Sequence, residues 1–286
     1  MRWFSRSHLT SPRKADVLPS PNIWYYPEAY EVENRAQDVD GAIWDALRTE
    51  YDWTGRDILD VGCGDGFHLP RFAESARSVL GVEPHEPLAR RARQRVEVLP
   101  MVSVRTGSAQ RLPVDDGSVD LVHARTAYFF GPGCEPGLRE TDRVLRPGGV
   151  LIIVDLDVSS EPYGGWMRAD LPDYDPPRVD KFFADAGFTC RRVETRWRFD
   201  DNASMASVLK IEFSAKVAER AIAEVSRDNE IRSRFGDGGD GDGVTLPVGY
   251  RVHTRIKPTG FILPKSAWPH SASLAESSGS TSPRIP

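Results

Sequence analysis

The residues with the clearest chemical potential form one short run, Asp60-Val61-Gly62-Cys63-Gly64-Asp65-Gly66, directly after a strand-like segment and directly before a helix-like one. Glycines at 62, 64 and 66 permit a tight turn and let a ligand approach the backbone closely. The spacing departs from the dinucleotide fingerprint G-x-G-x-x-G, because the third glycine comes one residue early and Phe67 takes its place. Asp60, two residues before the first glycine, would repel a pyrophosphate but suits a cationic ligand. A molecule with a sulfonium and an ammonium group meets that requirement, and a dinucleotide does not. A second acid, Glu83 in Gly81-Val82-Glu83-Pro84, stands 17 residues beyond Gly66. At this place in nucleotide-binding α/β folds a carboxylate accepts hydrogen bonds from ribose hydroxyls. The plainer alternative is a surface glutamate at a strand end.

Further groups gather downstream. His123 reads either as a general base or as a histidine with its hydrogen bonds satisfied inside a sheet. Arg125, two residues on, either meets a carboxylate or pairs on the surface. Tyr128, Phe129 and Phe130 follow and suit a substrate wall or core packing equally. Asp155 and Asp157 end the strongest strand-like run, and Tyr163, Trp166 and Met167 read as an apolar lip. Trp24-Tyr25-Tyr26 and Tyr30, upstream, read as a cover over the site or as ordinary packing. Cys63, Cys134 and Cys190 are too few for a disulfide scaffold and lack metal-ligand spacing. Cys134 is followed by Glu135, which should raise its pKa rather than activate it. The run Gly236–Gly243, GDGGDGDG, lacks the spacing and closing glutamate of a calcium loop and reads as a linker.

These groups must be positioned by alternating elements. Strand-like segments are expected at Asp57–Val61, Ser78–Val82, Val102–Thr106, Val119–Ala124 and Val150–Leu156. Helices are expected at Gly66–Ala76, Glu86–Val98 and Gly137–Arg146, the last stopped by Pro147-Gly148-Gly149. This β-α-β-α rhythm predicts a doubly wound, mostly parallel, Rossmann-like sheet with helices on both faces. Its ligand crevice should lie at the carboxyl ends of the strands, near the first. Beyond Leu156 the pattern predicts a helix over Pro176–Gly187, a strand over Thr189–Phe199, one long amphipathic helical stretch over Ala203–Arg234 and a closing strand at Thr245–Ile256. The expected organisation is a loose tail over 1–20, an N-terminal lid helix over 21–54, a core over 55–200, a helical lid insertion and Gly/Asp-rich linker over 201–243, a closing strand over 244–263 and a second loose tail over 264–286.

Composition narrows the class. A chain of 286 residues with 40% hydrophobic and 28% charged residues can bury a core without disulfides. No run approaches the ~18 consecutive apolar residues a membrane helix requires. The opening residues are basic but have no apolar core, so they do not read as a secretory signal. A formal charge of −5 weighs against a broad nucleic-acid surface. A cytoplasmic protein is the expectation.

Together, DILDVGCGDG, GVEP, TGSAQRLPVDDGSVDLVHART and RVLRPGGVLIIVD resemble the class I S-adenosylmethionine-dependent methyltransferases, within them the broad small-molecule group related to ubiquinone-biosynthesis methyltransferases, over roughly residues 55–157. The resemblance implies a seven-stranded sheet whose last strand, Thr245–Ile256, is antiparallel. It implies that Asp60, Gly62 and Gly64 hold the methionine part of the cofactor, with Cys63 and Gly66 also cofactor-binding, that Glu83 holds the ribose, that Pro84 lies along the adenine, and that Ser108 and Ala109 sit near the adenine amine. Ser108 stands where the family usually has an aspartate. Arg125 and Tyr30 would complete the cofactor pocket. His123, Asp155 and Tyr128 are the candidate catalytic groups, and Tyr25, Tyr26, Phe129, Phe130, Tyr163 and Trp166 the candidate substrate contacts. The implied reaction moves a methyl group to an oxygen or nitrogen of a small, partly apolar acceptor, by a biosynthetic monomer or homodimer without a metal. The alternatives are methylation of RNA or protein, or cofactor binding without catalysis. Against nucleic acid, Asp175-Pro176-Pro177-Arg178 lacks the aromatic residue of the amino-methylating DNA enzymes, and Cys134 lacks the Pro-Cys pair of the cytosine enzymes.

Overall fold

The computed structural model describes residues 16–17, 19–234 and 243–259. The tail expected over 264–286 lies outside the described residues, as do residues 1–15 and 18 of the other tail, 236–242 of the Gly/Asp run and 260–263 of the closing segment. Seven strands form one sheet: β1 (Asp57–Val61), β2 (Ser78–Glu83), β3 (Val102–Thr106), β4 (Val119–Arg125), β5 (Leu145–Leu156), β6 (Thr189–Phe199) and β7 (Val244–Ile256), in the order β3-β2-β1-β4-β5-β7-β6. The first five pair in parallel, and β7 runs antiparallel to both β5 and β6. The strand order reverses between β1 and β4, which opens a crevice at their carboxyl ends.

The central strands read as unbroken apolar runs because both sheet faces are covered. Alternate residues enter different cores: Ile58, Ile152 and Val154 join one, Leu59, Leu151 and Ile153 the other. The helices are α1 (Pro21–Tyr25), α2 (Pro27–Ala36), α3 (Ala42–Glu50), α4 (Leu69–Ala73), α5 (Glu86–Arg95), α6 (Glu135–Val144), α7 (Tyr163–Asp170), α8 (Pro176–Asp185), α9 (Asn202–Glu212) and α10 (Ala215–Arg234).

Several boundaries differ from the sequence expectation, each for a physical reason. The segment 21–54 holds three helices rather than one, divided before Pro27 and at Gly41, whose φ of 74° is left-handed. The expected helix from Gly66 shrinks to α4, because residues up to His68 are used in the turns of the glycine loop. The stretch 203–234 is two helices, not one: Asp201 and Ser204 form a capping box on α9, and the extended backbone of Phe213 ends it, placing that ring 5.1 Å from Tyr163 and 6.0 Å from Trp166. β5 begins at Leu145 rather than Val150, because Leu145 pairs with Val119 and the Gly148–Gly149 segment exchanges backbone bonds of 2.9 and 2.8 Å with Lys257. α7 carries no helix signal that the sequence reading recognised.

The α9–α10 insertion packs against α2, α7 and β7. Glu212 on α9 accepts hydrogen bonds from Asn22 of α1 at 2.6 Å and from the Tyr163 hydroxyl at 3.2 Å. The insertion therefore holds the N-terminal helices in place from behind, while α1 and α2 face the crevice.

Candidate active site

The crevice is built from the loops after β1, β2 and β4. β1 ends at Val61, and the chain then turns through Gly62 at φ 74° and Gly64 at φ 57°, conformations that favour glycine. Backbone N–H groups of Gly62 and Cys63 donate to Val82 O at 2.8 and 3.2 Å, which ties the loop to β2. A Cβ at Gly62 would lie 2.5 Å from the Ala127 Cβ, so this glycine sets how closely the loops after β1 and β4 approach. Gly66 serves packing instead, since a Cβ there would meet Ala92 of α5 at 3.0 Å.

Glu83 ends β2, buried, with both carboxylate oxygens engaged. Gly64 N donates to one at 3.1 Å and His85 N to the other at 2.9 Å. Burial pushes its pKa up to about 7, the two N–H donors pull it down, and the charges of Asp60 and Asp65 add to the rise. The Cys63 thiol is pushed well above its usual range, chiefly by burial and then by the same carboxylates, so it stays protonated and is no nucleophile. Trp24 stacks on His85 at 4.5 Å between ring centres, beside Pro84, Leu88 and Ala109, and gives this end of the crevice a flat apolar wall.

The other end is shaped by β4. After Arg125, Thr126 and Tyr128 adopt left-handed φ angles of 46° and 55°, strained for residues other than glycine. This turn brings Thr126, Tyr128 and Phe130 to the crevice wall. Tyr30, from α2, bonds Thr126, and burial holds its hydroxyl well above the usual pKa. Burial also pushes Tyr128 up to about 12. Arg125 donates to Gln37 Oε1 at 2.7 Å, and its guanidinium lies 5.4 Å from the centre of the Tyr250 ring. His68 stands nearby in ring contact with Trp44 and Phe67, and burial, with the Arg125 and His123 charges second, keeps its pKa well below 6.5.

The structure brings together Gly62, Cys63, Gly64, Glu83 and Pro84 with Ala109, Arg125 and Tyr30, and adds Tyr128 and Phe130 to the same crevice. Other expected positions fall elsewhere. Asp60 turns beneath the glycine loop, where its Oδ1 lies 2.7 Å from His123 Nδ1, and both side chains are buried in the β1–β4 pair. This corrects the expectation that Asp60 faces the ligand and that His123 is placed as a base. Ser108 turns back to accept from Arg111 N at 3.0 Å. Asp155 pairs with Arg251 at 3.3 Å, its pKa raised by burial. Phe129 is core, and Tyr163 and Trp166 are buried around Trp197 and Phe213 rather than forming a lip. Tyr25 and Tyr26 are exposed, at 68% and 48%, while their neighbour Trp24 points inward.

Sequence reading missed Asn34, Gln37, Phe67 and His68, all on the crevice wall. Asn34 lies in the last turn of α2 and Gln37 is the extended residue that caps it, so their common side follows from how the helix ends and not from helical spacing. Phe67 and His68 were assigned to a helix that does not start until Leu69.

Residues 59–153 match a family described as a methyltransferase domain. A probable S-adenosylmethionine-dependent methyltransferase from Mycolicibacterium smegmatis is 35% identical over 145 residues, covering 51% of this chain and 50% of its own. An uncharacterized 37.1 kDa protein in a Streptomyces fradiae transposon is 32% identical over 164 residues, covering 56% and 44%. The chain therefore spans about half the length of these relatives. In three dimensions it is similar to the YcgJ protein from Bacillus subtilis (TM-score 0.53, 18% identity, 77% of this chain and 100% of that one). A protein from Bacillus halodurans described as a putative methyltransferase aligns with the same TM-score, 0.53, at 18% identity over 76% and 99%. The fold is the Rossmann-like architecture of class I methyltransferases, and residues 59–153 match a methyltransferase domain, which points to S-adenosylmethionine as the cofactor.

The crevice residues fit that cofactor. Gly62 and Gly64 line it without side chains, Glu83 offers a fixed pair of acceptor oxygens for a ribose diol, and Trp24, Pro84, Leu88 and Ala109 provide an apolar slot of the kind an adenine needs. Among the described residues no cluster of His, Cys, Asp or Glu is arranged to hold a metal, and no helix is long and apolar enough to cross a membrane.

Proposed function

We propose that this protein transfers the methyl group of S-adenosylmethionine to an oxygen or nitrogen of a small, partly apolar acceptor. The observation that carries the reading is the convergence in one crevice of the glycine loop, the doubly held Glu83 and a separate polar end around His68 and Arg125. The first two hold a cofactor, and the third leaves room for a second reactant. Cover from α1 and α2, through Ile23, Trp24, Tyr30 and Asn34, narrows the crevice, which favours a small molecule over a polymer.

The cofactor supplies an electrophilic methyl on sulfur, and the displacement needs the nucleophile held in line, with at most one proton removed. Glu83 would accept the ribose hydroxyls, and Gly62 and Gly64 would leave room for the methionine part. Tyr128 and Phe130 flank the acceptor. His68, on the crevice wall beside Arg125, takes the acceptor's proton on a ring nitrogen. His123 and Asp155 have no part in this scheme, since each is committed to a buried partner.

The test is incubation with methyl-labelled S-adenosylmethionine and fractionated extract of the host. Label is expected in small molecules. Label in RNA or protein would overturn the acceptor class, and binding without label in any fraction would favour a non-catalytic cofactor-binding protein.

A further inference from the structure

Arg125 is only 9% exposed, yet it lines both the crevice and a side mouth that opens beside it. Five residues belong to both: Asn34, Gln37, Phe67, His68 and Arg125. Gly62, Gly64, Glu83 and Pro84 line the crevice and not the mouth, so Arg125 stands at the end remote from the adenosine slot.

Among the described residues no carboxylate lies within ion-pair distance of Arg125. The guanidinium donates to Gln37 Oε1 at 2.7 Å and lies against Tyr250. Gln37 is itself oriented, because its Nε2 donates to Glu33 Oε1 at 2.9 Å, which leaves its oxygen for Arg125. Glu33, the acid behind Gln37, has its pKa raised well above the ordinary carboxylate range by burial and then by Glu212, and it is bonded to Gln37 rather than to Arg125. The acid of the mouth, Asp38, is occupied: it accepts from Ile43 N at 3.0 Å and from the Thr195 hydroxyl at 3.0 Å. A buried guanidinium without a counter-ion is unfavourable, and its planar fork matches a carboxylate.

We infer that Arg125, oriented by Gln37, anchors a carboxylate carried by the methyl acceptor. The acceptor class is then a small carboxylic acid with an apolar or aromatic body, which Phe67 and Trp44 contact while His68 faces its nucleophile. The inference rests on the methyltransferase reading. The other source of a carboxylate is the methionine part of the cofactor, and the two sources predict different losses.

The experiment titrates wild-type protein saturated with S-adenosylhomocysteine, read by tryptophan fluorescence and calorimetry. The probes are benzoate, 4-hydroxybenzoate, indole-3-acetate and octanoate, each against its own amide. At least one acid should bind tenfold or more tighter than its amide. Arg125→Gln should erase that difference while changing S-adenosylhomocysteine affinity less than threefold, and Arg125→Lys should retain part of it. Equal binding of every acid and its amide to wild type overturns the inference. So does a tenfold loss of S-adenosylhomocysteine in Arg125→Gln, which assigns the guanidinium to the cofactor. If Arg125→Gln does not fold, Gln37→Leu replaces it, with a reduced acid preference expected and an unchanged one counting against. Failure of wild type to bind S-adenosylhomocysteine at all would instead sink the methyltransferase reading.

Discussion

Glu83 gives the most quantitative handle on the cofactor site. Its pKa is pushed up to about 7 from an ordinary 4.5, mainly by burial. A ribose diol donates to the ionised carboxylate, so binding must draw on the deprotonated fraction. That fraction is about 1/11 at pH 6 and about 10/11 at pH 8, which gives about tenfold stronger S-adenosylhomocysteine binding at pH 8, or about 1.4 kcal/mol. Calorimetry at pH 6 in buffers of different ionisation enthalpy should show proton release on binding. Glu83→Gln keeps one acceptor oxygen but removes the titration: its affinity at pH 8 should fall about tenfold, and the difference between variant and wild type should shrink toward pH 6. Comparing the two proteins cancels any titration of the ligand itself. The sign for stability is opposite. The folded state keeps a proton that the unfolded state loses, so unligated wild type should lose stability as pH rises from 4.5 to about 7, and Glu83→Gln should lack that slope. A binding curve flat from pH 5.5 to 8.5, or an equal slope in Glu83→Gln, refutes the argument.

Three other outcomes are expected. Gly62→Ala places a methyl 2.5 Å from the Ala127 Cβ at a left-handed φ, so it should cost about 1–3 kcal/mol in denaturant unfolding and weaken S-adenosylhomocysteine binding; unchanged values for both would show that the loops can part freely. Asp60→Ala leaves a buried His123 ring nitrogen without its partner, so stability should fall by about 1–3 kcal/mol, and a variant of wild-type stability with lost cofactor affinity would return Asp60 to the ligand. His68→Gln should lower kcat about 100-fold or more with S-adenosylhomocysteine affinity within threefold, whereas wild-type kcat would remove His68 from the reaction.

The order of strands and helices, the glycine loop and the acid after β2 were legible because each is a local pattern. Turn chemistry, apolar runs and punctuation by proline and glycine act over a few residues. Helix limits were less legible. Nothing near Phe213 announces that its ring is wanted between Tyr163 and Trp166, and nothing in Pro147-Gly148-Gly149 reveals its bonds to Lys257. Of the aromatic residues at 24–30, only Trp24 and Tyr30 line the crevice while Tyr25 and Tyr26 are exposed, and which rings point inward depends on how α1 seats against α9.

Asp60 marks the boundary between the two kinds of knowledge. Its place before the loop follows from sequence, but its direction follows from register: it lies opposite His123 in the β1–β4 pair, and residues opposite each other share a face. The same holds for the polar end of the crevice, where Arg125 is bonded by Gln37, 88 residues away. The sequence by itself determined the Rossmann-like core, the cofactor loop and Glu83, because these depend on spacing within one βαβ unit. Only the tertiary structure turned Asp60 and His123 toward each other inside the sheet and gathered His68 and Arg125 at one end of the crevice. A side chain's face, burial and counter-ion are set by elements distant in the chain, and no local pattern encodes them.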